Sequence, residues 1–293
     1  MVARSWLFVP GDSERKLAKA PETGADAIIV DLEDAVAAEN KPTARGLAAE
    51  WLAAHRSHVV AGRRTERWVR INPLDTPHWR DDVLAAMRGG PDGIVLPKAT
   101  GPDQIRQLAA EIYNLEGSSG VASGSTRIVP LVSETAAAAL SVPCYVGESL
   151  PRLGGLTWGA EDLSAAIGAT RKYREDGEWS DLFRMVRATV LLTAHAAGVP
   201  AIDTLHADFR DDAGLERKAR AARADGFAGM LAIHPGQVPI ITAAFTPSEA
   251  ELAGARAIVA AFAANPGAGT LALDGQMLDQ PHLVLAKRLL GEG

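Results

Sequence analysis

One phrase recurs along the chain: a short apolar run that ends in polar residues, then an alanine-rich stretch with helical spacing. The runs at residues 5–9, 27–31, 68–71, 93–96, 127–132, 153–158, 199–203 and 230–233 are apolar throughout. That pattern, without alternation, is the one parallel strands buried on both faces produce. Helical spacing fills residues 14–20, 43–56, 79–87, 103–113, 181–197 and 215–223. Eight strand-then-helix units predict an α/β fold, specifically a (β/α)8 TIM barrel. A doubly wound sheet is the alternative, but it rarely needs eight such units and usually shows a Gly-rich nucleotide turn.

Two segments break the rhythm. Residues 116–126 (EGSSGVASGST) read as a flexible Gly/Ser loop leading into the fifth strand. Residues 265–270 (NPGAGT) read as a hinge after a helix at 247–264. A short strand at 271–273, a turn at Asp274-Gly275 and a final helix through Leu290 follow. The predicted division is a barrel over residues 1–245 and a C-terminal helix and lid extension over 246–293. The 293 residues support it, because a barrel of this kind takes about 250.

Composition narrows the chemistry. Net charge is −6, so no basic field draws the chain to nucleic acid or an anionic membrane. Cys144 is the single cysteine, which excludes an internal disulfide and any multi-thiolate metal site, and suits a reducing cytoplasm. The apolar run Trp6-Leu7-Phe8-Val9 stops at Pro10-Gly11, too short for a signal-peptide core or a membrane span. The expectation is a cytoplasmic protein.

In a barrel, chemistry gathers where strands end. Here those ends carry Asp31, Glu33 and Asp34, then Arg70 and Asn72, Lys98, Ser133 and Glu134, Glu161 and Asp162, Asp203, and His234. Carboxylates, a guanidinium and an amide thus converge on one mouth, and hard oxygen donors from several strands suit Mg2+. The sequence has no His/Cys metal spacing, P-loop or G-x-S-x-G elbow, so the chemistry left is metal-assisted, on a small oxygen-rich anion. Each residue also has a plain structural reading. Glu33, Asp34, Glu134 and Asp162 precede helical patterns, where acids favour the helix N-terminus and Asp162 makes a good cap. Lys98 pairs with the acids, His234 is a rim histidine, and Cys144 is a buried small residue. Only Arg70 resists such a reading, because an arginine at an apolar strand end needs an anion. Taken singly, capping and ligation account for the acids equally well.

Together the motifs carry a resemblance. The segments Arg4-Ser5-Trp6-Leu7-Phe8-Val9-Pro10-Gly11, Asp31-Leu32-Glu33-Asp34-Ala35-Val36 and Lys41 to Arg45 open the match. Val69-Arg70-Ile71-Asn72, Leu96-Pro97-Lys98, Ser133-Glu134-Thr135, Gly159-Ala160-Glu161-Asp162-Leu163 and Ala232-Ile233-His234-Pro235 continue it. In this order they resemble the citrate lyase β-subunit family of the HpcH/HpaI aldolase group, with malyl-CoA and citramalyl-CoA lyases the nearest in pattern.

The resemblance implies a barrel that forms homotrimers or hexamers and uses Mg2+ held by Glu134 and Asp162. Arg70 would hold the substrate's carboxylate or acyl oxygen, and Glu33 and Asp34 would bind the metal's water. Phe8, Arg15 and Lys19 match the coenzyme A side; Arg15 and Lys19, four apart, share a helix face. Lys98 and His234 complete the expected substrate-binding set. The tail around Asp274 resembles the segment with which malyl-CoA and citramalyl-CoA lyases deliver an acid/base aspartate into a neighbouring subunit's site. The implied activity is reversible cleavage of a 3-hydroxyacyl-CoA into acetyl-CoA and a 2-oxo acid. The alternatives are a citrate lyase β subunit working with an acyl-carrier partner, a coenzyme A-independent 4-hydroxy-2-oxo acid aldolase, and a non-catalytic carboxylate-binding barrel.

Overall fold

The computed structural model describes residues 2–57, 59–60 and 62–292. The chain divides into two compact units, Met1–Phe245 and Thr246–Gly293.

In the first unit eight parallel strands form the barrel wall: β1 (Ser5–Pro10), β2 (Ala27–Asp31), β3 (Glu66–Arg70), β4 (Gly93–Leu96), β5 (Arg127–Pro130), β6 (Leu156–Thr157), β7 (Ala201–Asp203) and β8 (Gly229–Ala232). Their spatial order is β5-β4-β3-β2-β1-β8-β7-β6. The ring closes between β5 and β6 through the parallel bridges Ile128–Leu153 and Leu131–Thr157. This is the (β/α)8 TIM barrel that eight unalternating apolar runs predict.

Period-2 geometry sorts each strand into two faces. Trp6, Ile29, Trp68, Val95, Val129, Leu131, Ile202 and Leu231 fill the interior. Leu7, Ile28, Val30, Val69, Ile94 and Ile128 face the helical shell. The Trp6 and Trp68 rings lie 5.0 Å apart and plug the interior. A Cβ on Gly93 would fall 2.1 Å from the Trp68 ring, so β4 has to begin with glycine.

The shell helices are α1 (Glu14–Lys19), α2 (Lys41–Ala54), α3 (Trp79–Gly89), α4 (Pro102–Glu116), α5 (Ala136–Ser141), α6 (Ala160–Ile167), α7 (Asp181–Ala196), α8 (Asp212–Asp225) and α9 (Gln237–Ala244). In the second unit, α10 (Glu249–Ala264) starts from a reciprocal Ser248–Glu251 capping box. The hairpin β9 (Thr270–Leu273) and β10 (Gln276–Asp279) and the helix α11 (Gln280–Leu290) complete it. Asp274 and Gly275 both have positive φ, 50° and 79°, the two-residue turn that a tight hairpin needs.

Three expectations change. The sixth strand shrinks from residues 153–158 to Leu156–Thr157, because the Gly154-Gly155 pair interrupts it and Leu153 pairs only as a lone bridge. The 116–126 segment is anchored at Glu116, which is 1% exposed. Its carboxylate accepts from the Arg152 guanidinium twice at 2.7 Å and from Gly124 N at 2.8 Å. Burial opposes the charge of Glu116, but Arg152 and the loop amides prevail and bring its pKa down to about 2. Cys144 is exposed, not buried, because Val142 and Tyr145 take the inward positions of its short helical turn. No helix among the described residues is long and apolar enough to cross a membrane.

Candidate active site

Asp31 and Arg70 end neighbouring strands and are register partners. Their side chains meet as a bidentate pair, Nε to Oδ1 at 2.8 Å and the second nitrogen to Oδ2 at 2.7 Å. Arg70 also faces Glu33 Oε2 at 3.0 Å and lies over the Phe8 ring, 4.7 Å from its centroid. The anion that Arg70 demanded is therefore Asp31, within the protein. Burial works against both charges, yet Asp31 is held below the usual carboxylate range by Arg70, and the Arg70 pKa rises beside Asp31 and Glu33. Two of the five guanidinium N–H groups donate to Asp31, while Glu33 Oε2, though within ion-pair distance, accepts no hydrogen bond.

The turn after β2 is clamped from behind. Buried Lys41 donates to Leu32 O (2.9 Å), Glu33 O (3.0 Å) and Asn72 Oδ1 (2.8 Å). Asn72 in turn donates to Asp82 at 2.6 Å, and Asp82 accepts from Arg45 at 2.7 Å. Sequence reasoning placed Asp31 at the mouth without a role and left Lys41 and Asp82 outside the site. Lys41 stood in a quoted motif, but nothing local in that motif marks the lysine as buried.

Across the mouth, Glu134 is 2% exposed. Its Oε2 accepts from the Lys98 backbone N–H, while its buried Oε1 has no hydrogen-bond partner. Burial first, then the neighbouring Asp162 and Glu33, push its pKa up to about 8 against the pull of Lys98. The Lys98 backbone has φ 50°, and its ammonium touches Glu33 and stands 3.5 Å from Asp34 and 3.7 Å from Asp162. Burial raises the Glu33 pKa although Arg70 and Lys98 oppose it.

The cap positions go to other residues, although Asp162 does lie in the first turn of α6, where an acid favours the helix dipole. Thr135, not Glu134, caps α5. Gly159, not Asp162, is the N-cap of α6. Glu33 and Asp34 lie well ahead of α2, which starts at Lys41.

A divalent cation fits this arrangement. Phe8, Arg70, Glu134, Gly159, Asp162 and Leu205 line a cavity of about 40 Å³, room for an ion with water. A Cβ on Gly159 would lie 2.9 Å from Glu134 Cγ, so glycine keeps this floor open. Among the described residues no three His, Cys, Asp or Glu side chains form a metal cluster. Two oxygen donors with a vacant Glu134 lone pair match Mg2+, which keeps most of its shell for water and substrate.

Phe8 also walls a second, larger cleft of about 370 Å³ lined by Arg15, Lys19, Ile233 and His234. Arg15 and Lys19 make no ion pair or hydrogen bond among the described residues. His234 is exposed, accepts from Gly236 N at 3.1 Å and stacks on Phe209 at 5.1 Å. The structure thus brings Phe8, Arg15, Lys19 and His234 around one cleft, and Phe8, Arg70, Glu134 and Asp162 around the adjoining one, with Glu33, Asp34 and Lys98 joined to the latter by ion pairs. Asp274 belongs to the other unit, exposed at the tip of its hairpin.

The model of the HpcH/HpaI aldolase/citrate lyase family matches residues 4–235. The chain belongs to that family. A citrate lyase subunit beta-like protein of Mycobacterium tuberculosis is 37% identical over 97% of this chain and 93% of its own length. Human mitochondrial citramalyl-CoA lyase is 33% identical over 97% of this chain and 83% of its own. A crystal structure of Mycobacterium tuberculosis CitE with magnesium, acetoacetate and coenzyme A superposes with a TM-score of 0.76, at 35% identity, covering 99% of this chain and 97% of that one. This HpcH/HpaI family member is an enzyme of the lyase class, with the barrel of its solved relatives.

Proposed function

We propose that this enzyme is a Mg2+-dependent carbon–carbon lyase that cleaves, or forms, a 3-hydroxyacyl-CoA such as malyl-CoA or citramalyl-CoA, with acetyl-CoA and a 2-oxo acid as the other side of the equilibrium. The observation that carries this reading is the adjacency of two unlike clefts across Phe8: an acidic pocket with an orphaned carboxylate oxygen, and a wider one lined by Arg15 and Lys19, which make no ion pair among the described residues. The relative solved with magnesium, acetoacetate and coenzyme A supports the same pairing.

Glu134 and Asp162 hold the Mg2+, which supplies Lewis acidity to the substrate's hydroxyl and carboxylate oxygens when bound. The Arg70 N–H groups that Asp31 does not occupy receive the acyl or carboxylate oxygen as its charge develops, and the Asp31 pair fixes their direction before substrate arrives. Glu33 and Asp34 accept hydrogen bonds from water at the pocket rim, and Lys98 balances the local negative charge. Arg15 and Lys19 take coenzyme A phosphates, with Phe8 and His234 as apolar and aromatic walls. Asp274 from a neighbouring subunit exchanges the proton at the thioester's α-carbon. This role requires the homotrimer or hexamer, which we assign to the cytoplasm on the strength of the single cysteine.

The test is a condensation screen: acetyl-CoA or propionyl-CoA with glyoxylate, pyruvate or oxaloacetate, with and without Mg2+. Product that forms only with Mg2+ and disappears in Glu134→Ala and Asp162→Ala is the expected result; unchanged turnover in either variant refutes the metal assignment. Free thiol released without a 2-oxo acid would mark a thioesterase, the activity named for a relative from Cereibacter sphaeroides that is 34% identical over 99% of this chain and 94% of its own. Turnover confined to carrier-bound thioester would mark a citrate lyase β subunit.

A further inference from the structure

A second cavity of about 140 Å³ lies beyond the Thr204-Leu205 segment, which also walls the Glu134 pocket. It is lined by Trp179, Arg217 and Lys218, with the acids Asp176 and Glu178 at its edge. The proposed lyase reaction uses none of these five.

Lys218 projects from α8 between the face of Tyr173, 3.8 Å from the ring centroid, and the more distant Trp179 ring at 5.7 Å. Its Nζ lies 3.2 Å from His206 Nδ1. The other ring nitrogen of His206 lies 3.4 Å from Asp211 Oδ2, within ion-pair distance but without a hydrogen bond. A lysine carries no acceptor once protonated, so this contact makes Nδ1 the lone-pair nitrogen and leaves the ring proton on the side of Asp211. Amine and imidazole stand as nucleophile and base, with the carboxylate as the charge beside the base. That carboxylate is itself held in place: Asp211 caps α8 by accepting from Gly214 N at 2.9 Å. A Cβ on Gly214 would sit 1.9 Å from Asp211 Oδ2, so only glycine allows the carboxylate to turn toward His206. Burial lowers the pKa of both Lys218 and His206, with Asp211 acting in the opposite direction on each. The amine therefore gives up its proton more readily than a surface lysine.

The same cavity offers a carboxylate receptor. Arg187 is consumed by Asp203 and Asp225, but Arg217 has no ion pair among the described residues. An amine with a nearby base, a spare guanidinium and room for a few heavy atoms is complementary to a small acid with a carbonyl beside its carboxylate.

We propose that Lys218 is a nucleophilic amine that binds a small 2-oxo acid as a reversible imine, with the acid's carboxylate against Arg217. The Nζ lone pair attacks the carbonyl carbon and the carbonyl π pair moves to oxygen. His206 takes the proton leaving Nζ and returns it to that oxygen. A second proton transfer expels water as the C=N bond forms, so one water is released per imine and no oxidant or reductant takes part. Choosing a 2-oxo acid as the electrophile rests on the lyase reading above; the amine site does not.

The experiment is reductive trapping on the full-length protein. Pyruvate or glyoxylate is added, the imine is reduced with cyanoborohydride, and the adduct is mapped by peptide mass spectrometry. Preferential labelling of Lys218 over the other lysines is expected, lost in Lys218→Arg, retained in Glu134→Gln, and slowed about 10²-fold in His206→Gln, the usual scale for a lost general base. Labelling spread over surface lysines, or absent from Lys218 in the wild-type map, overturns the proposal even if a variant fails to fold. Unslowed labelling in His206→Gln overturns the role of the base. Condensation activity without a Lys218 adduct defeats the imine alone, and a Lys218 adduct without condensation activity defeats the lyase reading alone.

Discussion

At the scale of single residues, Glu134 carries the sharpest consequence. In the unfolded chain a glutamate titrates near 4.5, whereas folded and metal-free Glu134 keeps its proton to about 8. Between those values the folded state holds a proton that the unfolded state has lost. The stability this proton confers is complete below pH 4.5 and is lost as pH rises through about 8. The metal-free enzyme should lose on the order of 5 kcal/mol across that window, on the order of 10 °C in Tm, and Glu134→Gln should flatten the dependence. Mg2+ should reverse it, because binding displaces the same proton and tightens with pH. Thermal melts from pH 5 to 9 with chelator, and again with Mg2+, check both; a wild-type profile parallel to that of Glu134→Gln would sink the assignment. Arg70 shows why residue type alone said less. Its need for an anion was legible from the apolar strand around it, but the identity of the anion, Asp31, depends on the register of β2 against β3.

At the scale of elements, the strand ends work because the helices after them are capped by other residues. Thr135 and Gly159 occupy the cap positions of α5 and α6, and Glu134 and Asp162 are left to face the mouth. Gly159 also leaves the space that Glu134 fills. Gly159→Ala should therefore displace Glu134 and weaken Mg2+ binding at least tenfold while the circular dichroism spectrum stays that of the intact barrel. Mg2+ titration calorimetry reads this directly, and unaltered affinity would mean that the Glu134 position is not set by that contact. Helical periodicity located α2, α3, α4, α7 and α8 to within a few residues, because their apolar stripes are local. It placed the 116–126 excursion but not its anchoring, since the Arg152 that holds Glu116 lies 36 residues away.

At the scale of the whole molecule, the proposed acid/base Asp274 sits in a unit separate from the barrel, on a turn whose two positive φ angles aim its tip outward from the hairpin. If subunits share sites, mixing Asp274→Ala with Arg70→Ala subunits should restore part of the activity that neither has alone, with light scattering confirming trimers or hexamers. No recovery after verified subunit exchange would count against catalysis in trans. The linear chain by itself determined the eight strands, most of the shell helices, and which strand ends carry acids and cations, because periodicity and side-chain chemistry are local properties. Only the tertiary structure decided how those charges are divided: Arg70 neutralised by Asp31, Lys98 drawn to Glu33, Glu134 left with an unpaired oxygen, and Lys218 set against His206. Each of these depends on burial and on partners set against one another by the folded chain. Asp31 and Arg70 are 39 residues apart and Glu33 and Lys98 65. Even His206 and Lys218, 12 apart, carry no local pattern that marks their contact.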